Sequence, residues 1–213
     1  MRDHFHHRLD ALVLHLAHMC DLTALAIHRA TAALLSEDLA LAEQVIADDV
    51  VLDTARERIE HDVHLLLALQ SPVASDLRTI VQVARSAEKV ERMGDLARHV
   101  AVAVRRRHPD PAVPPALRDL FVRRGDLAER SAQGMSRIVR TRDPLLLHGL
   151  TVANAEMNGL NRTLLDAIDR EWPYGTVHGV DAVLLSRFYA RFADQALAVA
   201  RLVTGRYQLV RAS

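Results

Sequence analysis

The chain has 213 residues and no net formal charge, with half of its residues hydrophobic and a quarter charged. This is the composition of a globular protein, and the zero net charge provides no basic field for nucleic acid. The single cysteine, Cys20, excludes an internal disulfide and fits a reducing, cytoplasmic compartment. The N-terminus lacks the apolar core of a signal peptide, and no apolar run approaches the roughly 18 residues that span a bilayer, so we expect any membrane contact to be peripheral.

Helical spacing of apolar residues predicts three helices in the first half, at about 4–35, 38–70 and 75–107. Asp38 and Ser75 are the predicted caps of the second and third helices. Segment 108–115 contains four prolines, which are incompatible with a helix, and is predicted to be a linker.

Three more helices are predicted in the second half, at about 116–140, 144–170 and 181–207, with a loop at 172–179. Asp143 is the predicted cap of the fifth helix, and Pro144 occupies its first helical position. Short turns make neighbouring helices antiparallel. The predicted fold is all-α, with two tandem three-helix bundles at 1–107 and 116–213 joined by the linker at 108–115.

The two halves also repeat each other in sequence. The segments beginning at Cys20 and Ser36 match those beginning at Gly125 and Thr141, in both cases 105 positions later. The segment 91–97 matches 190–196 at an interval of 99. The change of interval predicts that the turn between the second and third helices is six residues shorter in the second half.

Pairs of carboxylates lie one turn apart on two helices of the first half. Asp49 and Asp53 form one pair, and Glu91 and Asp95 the other. If both pairs face each other beside an apolar stripe, they need positive charge between them, because unpaired carboxylates near a core are costly. Iron, manganese or magnesium would accept these oxygen ligands, and His99, one turn beyond Asp95, adds a candidate nitrogen ligand.

A metal-free alternative stays open at this point. Arg56, Arg92 and Arg98 lie on the same two helices and would form a lattice of ion pairs with the acids. In the second half, the positions of Asp49, Asp53 and Glu91 hold Asn154, Asn158 and Ala190, and only Asp194 keeps its carboxylate. Any metal site is therefore expected to be asymmetric, with the competent site in the first half.

The sequence contains no phosphate-binding loop, dinucleotide fingerprint or nucleophile elbow. A ferritin-like di-iron protein is a further alternative, but it needs Glu-x-x-His pairs, and no glutamate is followed by histidine at that spacing. The basic run 105–107 either complements the dipole of its helix or contacts an acidic partner or anionic lipid.

The segment Gln70-Ser-Pro-Val-Ala-Ser-Asp-Leu-Arg78, followed by Glu91-Arg-Met-Gly-Asp95, resembles the signature of the PhoU family. Asp49-Val-Val-Leu-Asp53 is similar to the family's earlier motif. Arg187-Phe-Tyr-Ala-Arg-Phe-Ala-Asp194 resembles the equivalent motif without its glutamate. The resemblance extends over essentially the whole chain, and the composition, rich in arginine and poor in lysine, is similar to that of actinobacterial members.

The resemblance implies two three-helix bundles and iron or zinc clusters at the acidic motifs. Carried over, the metal ligands are Asp49, Asp53, Glu91, Asp95 and Asp194, while His99 stands where the family often has asparagine. The implied role is regulatory and not enzymatic. It comprises coupling the phosphate ABC transporter, through its ATPase subunit, to a sensor histidine kinase, repressing the phosphate-starvation response, and forming a homodimer that reaches the membrane through its partners.

Overall fold

The computed structural model describes residues 2–69, 74–170 and 172–205. Within these ranges the chain forms helices and no β-strand, so the predicted all-α class is confirmed. Single turns of 3-10 helix lie at Pro115–Leu117 and Pro144–Leu146. The six long helices are α1 Arg2–Ser36, α2 Leu39–Leu69, α3 Ala74–Arg107, α4 Arg118–Thr141, α5 Leu147–Arg170 and α6 Gly175–Val203.

The helices form two three-helix bundles that share one interior. Helices α1, α2 and α3 pack together, as do α4, α5 and α6. In addition, α1 packs along α4 and α3 packs along α6, so these four helices lie at the centre and α2 and α5 flank them. Buried apolar side chains from both halves form one continuous core.

The internal repeat is visible in the backbone at the ends of α1 and α4. Glu37 and Arg142, which are 105 residues apart, are both non-glycine residues with positive φ, at 59° and 55°. A left-handed residue at this position ends a helix. The next residue then caps the following helix: Asp38 Oδ1 accepts from the Leu41 amide at 2.9 Å, and Asp143 Oδ1 accepts from the Leu145 amide at 2.8 Å.

The predicted difference in length between the two turns falls on residues 70–73 and 171, which lie outside the described residues. Two details of the predicted boundaries are wrong. Ser75 lies inside α3 and is not its cap. Helix α6 begins at Gly175, not near Asp181, and it includes Gly179, where an added Cβ would lie 3.3 Å from Trp172 Nε1.

Helix α1 is long and apolar enough to cross a membrane by length and composition, between His4 and Ser36. The expectation that no apolar run approaches this length is therefore wrong. The physical reason is that α1 packs against α2, α3 and α4, so several of its faces must be apolar. Leu12 and Leu16, for example, are fully buried in the bundle, and a core helix of this kind passes the same test.

The connection between the bundles packs against the protein. Ala112 and Val113 within the predicted linker are buried. The basic run at the end of α3 finds its partners inside the chain, because Arg106 and Arg107 both bind the buried Asp181 of α6, with 2.6 Å between Arg107 Nε and Asp181 Oδ2. These contacts fasten α3 to α6 across the two bundles.

Candidate functional site

The acidic residues of α2 and α3 form one patch on the first bundle, here called the carboxylate patch: Asp49, Asp53, Glu91 and Asp95. The negative charges of Asp53 and Asp95 act on both Asp49 and Glu91, which places all four side chains within mutual electrostatic reach. The predicted convergence of the two acidic pairs is thus correct.

Close contact between α2 and α3 depends on Gly94. A Cβ at this position would overlap Leu52 Cδ1, and it would lie 3.7 Å from Asp49 Oδ1. The glycine therefore lets the Leu52 side chain of α2 reach the backbone of α3. This packing brings Asp49 beside the helical turn that carries Glu91 and Asp95.

A guanidinium group lies between the two helices at the carboxylate patch. Arg98 Nε is 2.8 Å from Asp49 Oδ2, and Arg98 Nη2 donates to Asp95 Oδ1 at 3.1 Å. One arginine thus bridges a carboxylate of α2 and a carboxylate of α3. This is the arrangement of the metal-free alternative, with Arg98 as the bridging cation.

Burial raises the pKa of Asp49 above its usual range. The Arg98 guanidinium opposes this shift, while the charges of Asp95 and Asp53 add to it. The net direction is upward, so the arginine compensates the patch only in part.

Burial is also the main reason why the pKa of Glu91 is raised. Repulsion from Asp95 and Asp53 adds to the shift, whereas Arg56 and Arg92 oppose it. In both carboxyl groups burial is the largest cause of the shift, and repulsion between the acids adds to it.

The donor set of the patch does not by itself form a metal site. Among the described residues, no three His, Cys, Asp or Glu side chains lie together in a way that could hold a metal ion. The oxygen donors suit iron chemically, but Arg98 binds two of the four carboxylates. The prediction that Asp49, Asp53, Glu91 and Asp95 are metal ligands stays a prediction.

Asp194 and His99, the remaining predicted ligands, lie apart from this arrangement. Asp194 Oδ1 accepts a hydrogen bond of 3.0 Å from Asn154 Nδ2, which places it in the equivalent part of the second bundle. The His99 ring stacks on Phe188 of α6, with 5.2 Å between ring centroids and 22° between planes. His99 therefore contacts the second bundle across the α3–α6 interface.

Comparison with known proteins decides the family. The chain is 43% identical over 204 residues to the phosphate-specific transport system accessory protein PhoU homolog 1 of Mycobacterium leprae, covering 95% of this chain and 92% of that protein. It is equally similar to homolog 2 of Mycobacterium tuberculosis H37Rv, of which it covers 96%. This chain belongs to the PhoU family.

The match to the family's domain model and the similarity to a solved PhoU structure agree with this membership. The PhoU domain model matches residues 16–104, which include the carboxylate patch. The crystal structure of PhoU from Pseudomonas aeruginosa superposes with a TM-score of 0.85 at 24% identity, covering 93% of this chain and 96% of the other. Of the PhoU signature, residues 70–73 lie outside the described residues, whereas Asp76 lies 3.8 Å from the His6 ring.

One unusual residue of this PhoU protein, Arg124, carries no signal in a local sequence motif. It is fully buried, and its guanidinium donates to Asn161 Oδ1 at 3.0 Å and to the Ser186 carbonyl at 3.4 Å. Its Nε has no partner, and burial lowers the pKa of Arg124 to about 10. The internal repeat would have revealed it, because Arg124 occupies the position of the buried Met19.

Proposed function

We propose that this chain is a non-enzymatic, cytoplasmic accessory protein of phosphate-specific transport, regulating phosphate uptake and the response to phosphate starvation. The observation that carries the proposal is a match over the whole chain: relatives named as accessory proteins of this transport system are 43% identical over 95% of it. Such a match includes both bundles and the connection between them, so it supports a common role for the entire protein.

The proposed mechanism is protein contact. A helical surface binds the ATPase subunit of the phosphate ABC transporter and a sensor histidine kinase, and represses the starvation response when phosphate is plentiful. In this proposal the protein is a homodimer and meets the membrane only through its partners. Exposed apolar side chains beside a groove, such as Leu145 and Val152, support a role in binding proteins.

Iron or zinc binding at the carboxylate patch stays part of the proposal, with the first bundle favoured over the second. A metal-free adaptor is the second candidate, and the ion pairs of Arg98 with Asp49 and Asp95 favour it. The two candidates share partners and differ only in what balances the charge of the patch.

Binding and a deletion strain together test the function. Purified protein is expected to retain the transporter ATPase subunit or the kinase domain in a pull-down. A strain that lacks the gene is expected to express starvation genes in phosphate-rich medium and to recover repression when the wild-type gene is restored. If neither partner binds and the deletion strain responds normally, the proposal is wrong.

A further inference from the structure

The internal repeat has produced two equivalent grooves, one in each bundle. The first lies between α1 and α2, and the second lies between α4 and the chain from Pro144 into α5. Most residues that line the first groove have a counterpart 105 positions later that lines the second, for example Leu22 and Leu127, or Val45 and Leu150. Because the grooves occupy equivalent positions of the repeat, the differences between them indicate how their functions differ.

The first groove is lined by an ion pair that has no equivalent in the second. Arg29 Nη1 of α1 lies 3.2 Å from Asp48 Oδ2 of α2. The residues at the equivalent positions of the second groove are Gly134 and Ala153. The second groove is also larger, about 420 Å³ against about 170 Å³.

Apolar side chains line and border the second groove. Leu150 packs so closely on Gly134 that a Cβ there would overlap Leu150 Cδ1, and this contact makes an apolar floor. At the rim, Leu145 is 82% exposed and Val152 is 52% exposed. Exposed leucine and valine beside an apolar groove are typical of a protein-binding surface.

Two arginines follow the groove along α4. Arg130 and Arg137 are exposed, seven residues apart and therefore on the same side of the helix, with about 10 Å of rise between them. Neither makes an ion pair with a carboxylate in the described part of the chain; Arg130 Nε donates only to the Asp126 carbonyl, at 3.2 Å. The acidic residue at the groove, Glu156, is already paired with Arg123 at 3.0 Å.

We propose that the groove between α4 and α5 binds an amphipathic helix with an acidic edge, presented by a partner protein. Its apolar face would cover Leu145, Leu150 and Val152, and carboxylates two turns apart would pair with Arg130 and Arg137. The arginines favour this occupant, because their two-turn spacing matches the repeat of side chains along one face of a helix. The inference rests on the proposed function, since it describes how the ATPase subunit or the kinase is recognised.

Charge reversal tests the inference. The double variant Arg130→Glu/Arg137→Glu, and separately Val152→Asp, is expected to bind the ATPase subunit or the kinase domain at least tenfold more weakly than wild type. The matched control, Arg162→Glu/Arg201→Glu, makes the same charge change at two exposed arginines of α5 and α6 and is expected to bind like wild type. Melting curves of all variants report whether the fold is kept.

A photo-crosslinking amino acid at position 152 identifies the occupant directly. We expect a crosslink to an acidic helical segment of the partner, and none from the equivalent groove when the same group is placed at Val51. A crosslink to a second copy of this chain, or to a segment without acidic residues, would overturn the inference. If the charge-reversed variant binds as tightly as wild type, only this inference is overturned. If wild type itself binds neither partner, the proposed function is overturned as well.

Discussion

Thr31 of α1 and Tyr189 of α6 share a hydrogen bond of 2.8 Å between their hydroxyl oxygens, in the interior where the two bundles meet. Thr31 Oγ1 also donates to the Ile27 carbonyl at 2.8 Å, so the tyrosine is the donor in the shared bond. Tyr189 is fully buried. A hydrogen bond between residues 158 positions apart shows that the two repeats are parts of one folded unit.

Tyr189→Phe is therefore expected to lower the free energy of unfolding by about 1 kcal/mol, the net value of a buried hydrogen bond. Burial raises the pKa of Tyr189 in the folded state. In the unfolded chain the phenol ionises at about pH 10, whereas in the folded protein it stays protonated at that pH. Wild type should thus lose stability above that pH more steeply than the variant. Urea denaturation at neutral and alkaline pH measures both effects, with Tyr174→Phe as the control; equal alkaline slopes would contradict the assignment.

Gly125→Ala is expected to destabilise the protein by roughly 1–3 kcal/mol, the usual cost of overpacking a core. A Cβ at Gly125 would overlap the Thr31 methyl group, which is held by the hydroxyl bonds of that residue. Gly159 in α5 has open space around it, so Gly159→Ala should stabilise by about 0.5–1 kcal/mol through helix propensity alone. Chemical denaturation of both variants should give changes of opposite sign, and a gain in both would refute the contact.

Glu91→Gln is expected to raise the melting temperature at pH 7 by less than about 3 °C, because the residue is partly exposed and solvent screens its repulsion. The pKa of Glu91 is raised in the folded state, so the native protein takes up a proton before the unfolded chain does as the pH falls. The advantage of the variant should therefore shrink toward pH 4. Glu88→Gln, an exposed change on the same helix, is the control; an unchanged advantage at pH 4 would exclude the electrostatic explanation.

Arg98→Met should increase the affinity of the carboxylate patch for Mn²⁺ or Fe²⁺, because it removes the cation that bridges Asp49 and Asp95. The expected readout is a larger rise in melting temperature on addition of Mn²⁺ than wild type shows, with Arg58→Met, at an exposed arginine of α2, as the control. Elemental analysis of protein purified without chelators completes the test. Stoichiometric iron or zinc in wild type, lost in both Asp49→Ala and Glu91→Ala, would establish the metal cluster over the metal-free adaptor.

Arg124→Met is expected to stabilise the protein by about 1–3 kcal/mol, because it removes a buried charge that has no carboxylate partner. Asn161 Oδ1 keeps a donor in the variant, since Ser186 Oγ still binds it at 2.8 Å. Arg124→Lys retains the buried charge but has fewer hydrogen-bond donors, so we expect it to destabilise the protein. A loss of stability in Arg124→Met would mean that the hydrogen bonds of the guanidinium outweigh its desolvation.

The helical periodicity, the prolines at 109–115 and the caps at Asp38 and Asp143 were sufficient to predict six helices and their division into two repeats. The carboxylate patch was predictable too, because acids one turn apart on two neighbouring helices can converge on one surface. These features depend on local spacing, which the chain carries in its order of residues.

Only the tertiary structure decided which charges compensate the patch and how the bundles join. Arg98 was one of three candidate cations, and its selection depends on the Gly94 contact that sets the approach of α2 to α3. The bond between Thr31 and Tyr189, and the burial of Arg124, connect residues far apart in the chain, so no local pattern contains them. Local sequence determines which segments are helical, whereas packing in three dimensions determines which of their side chains meet.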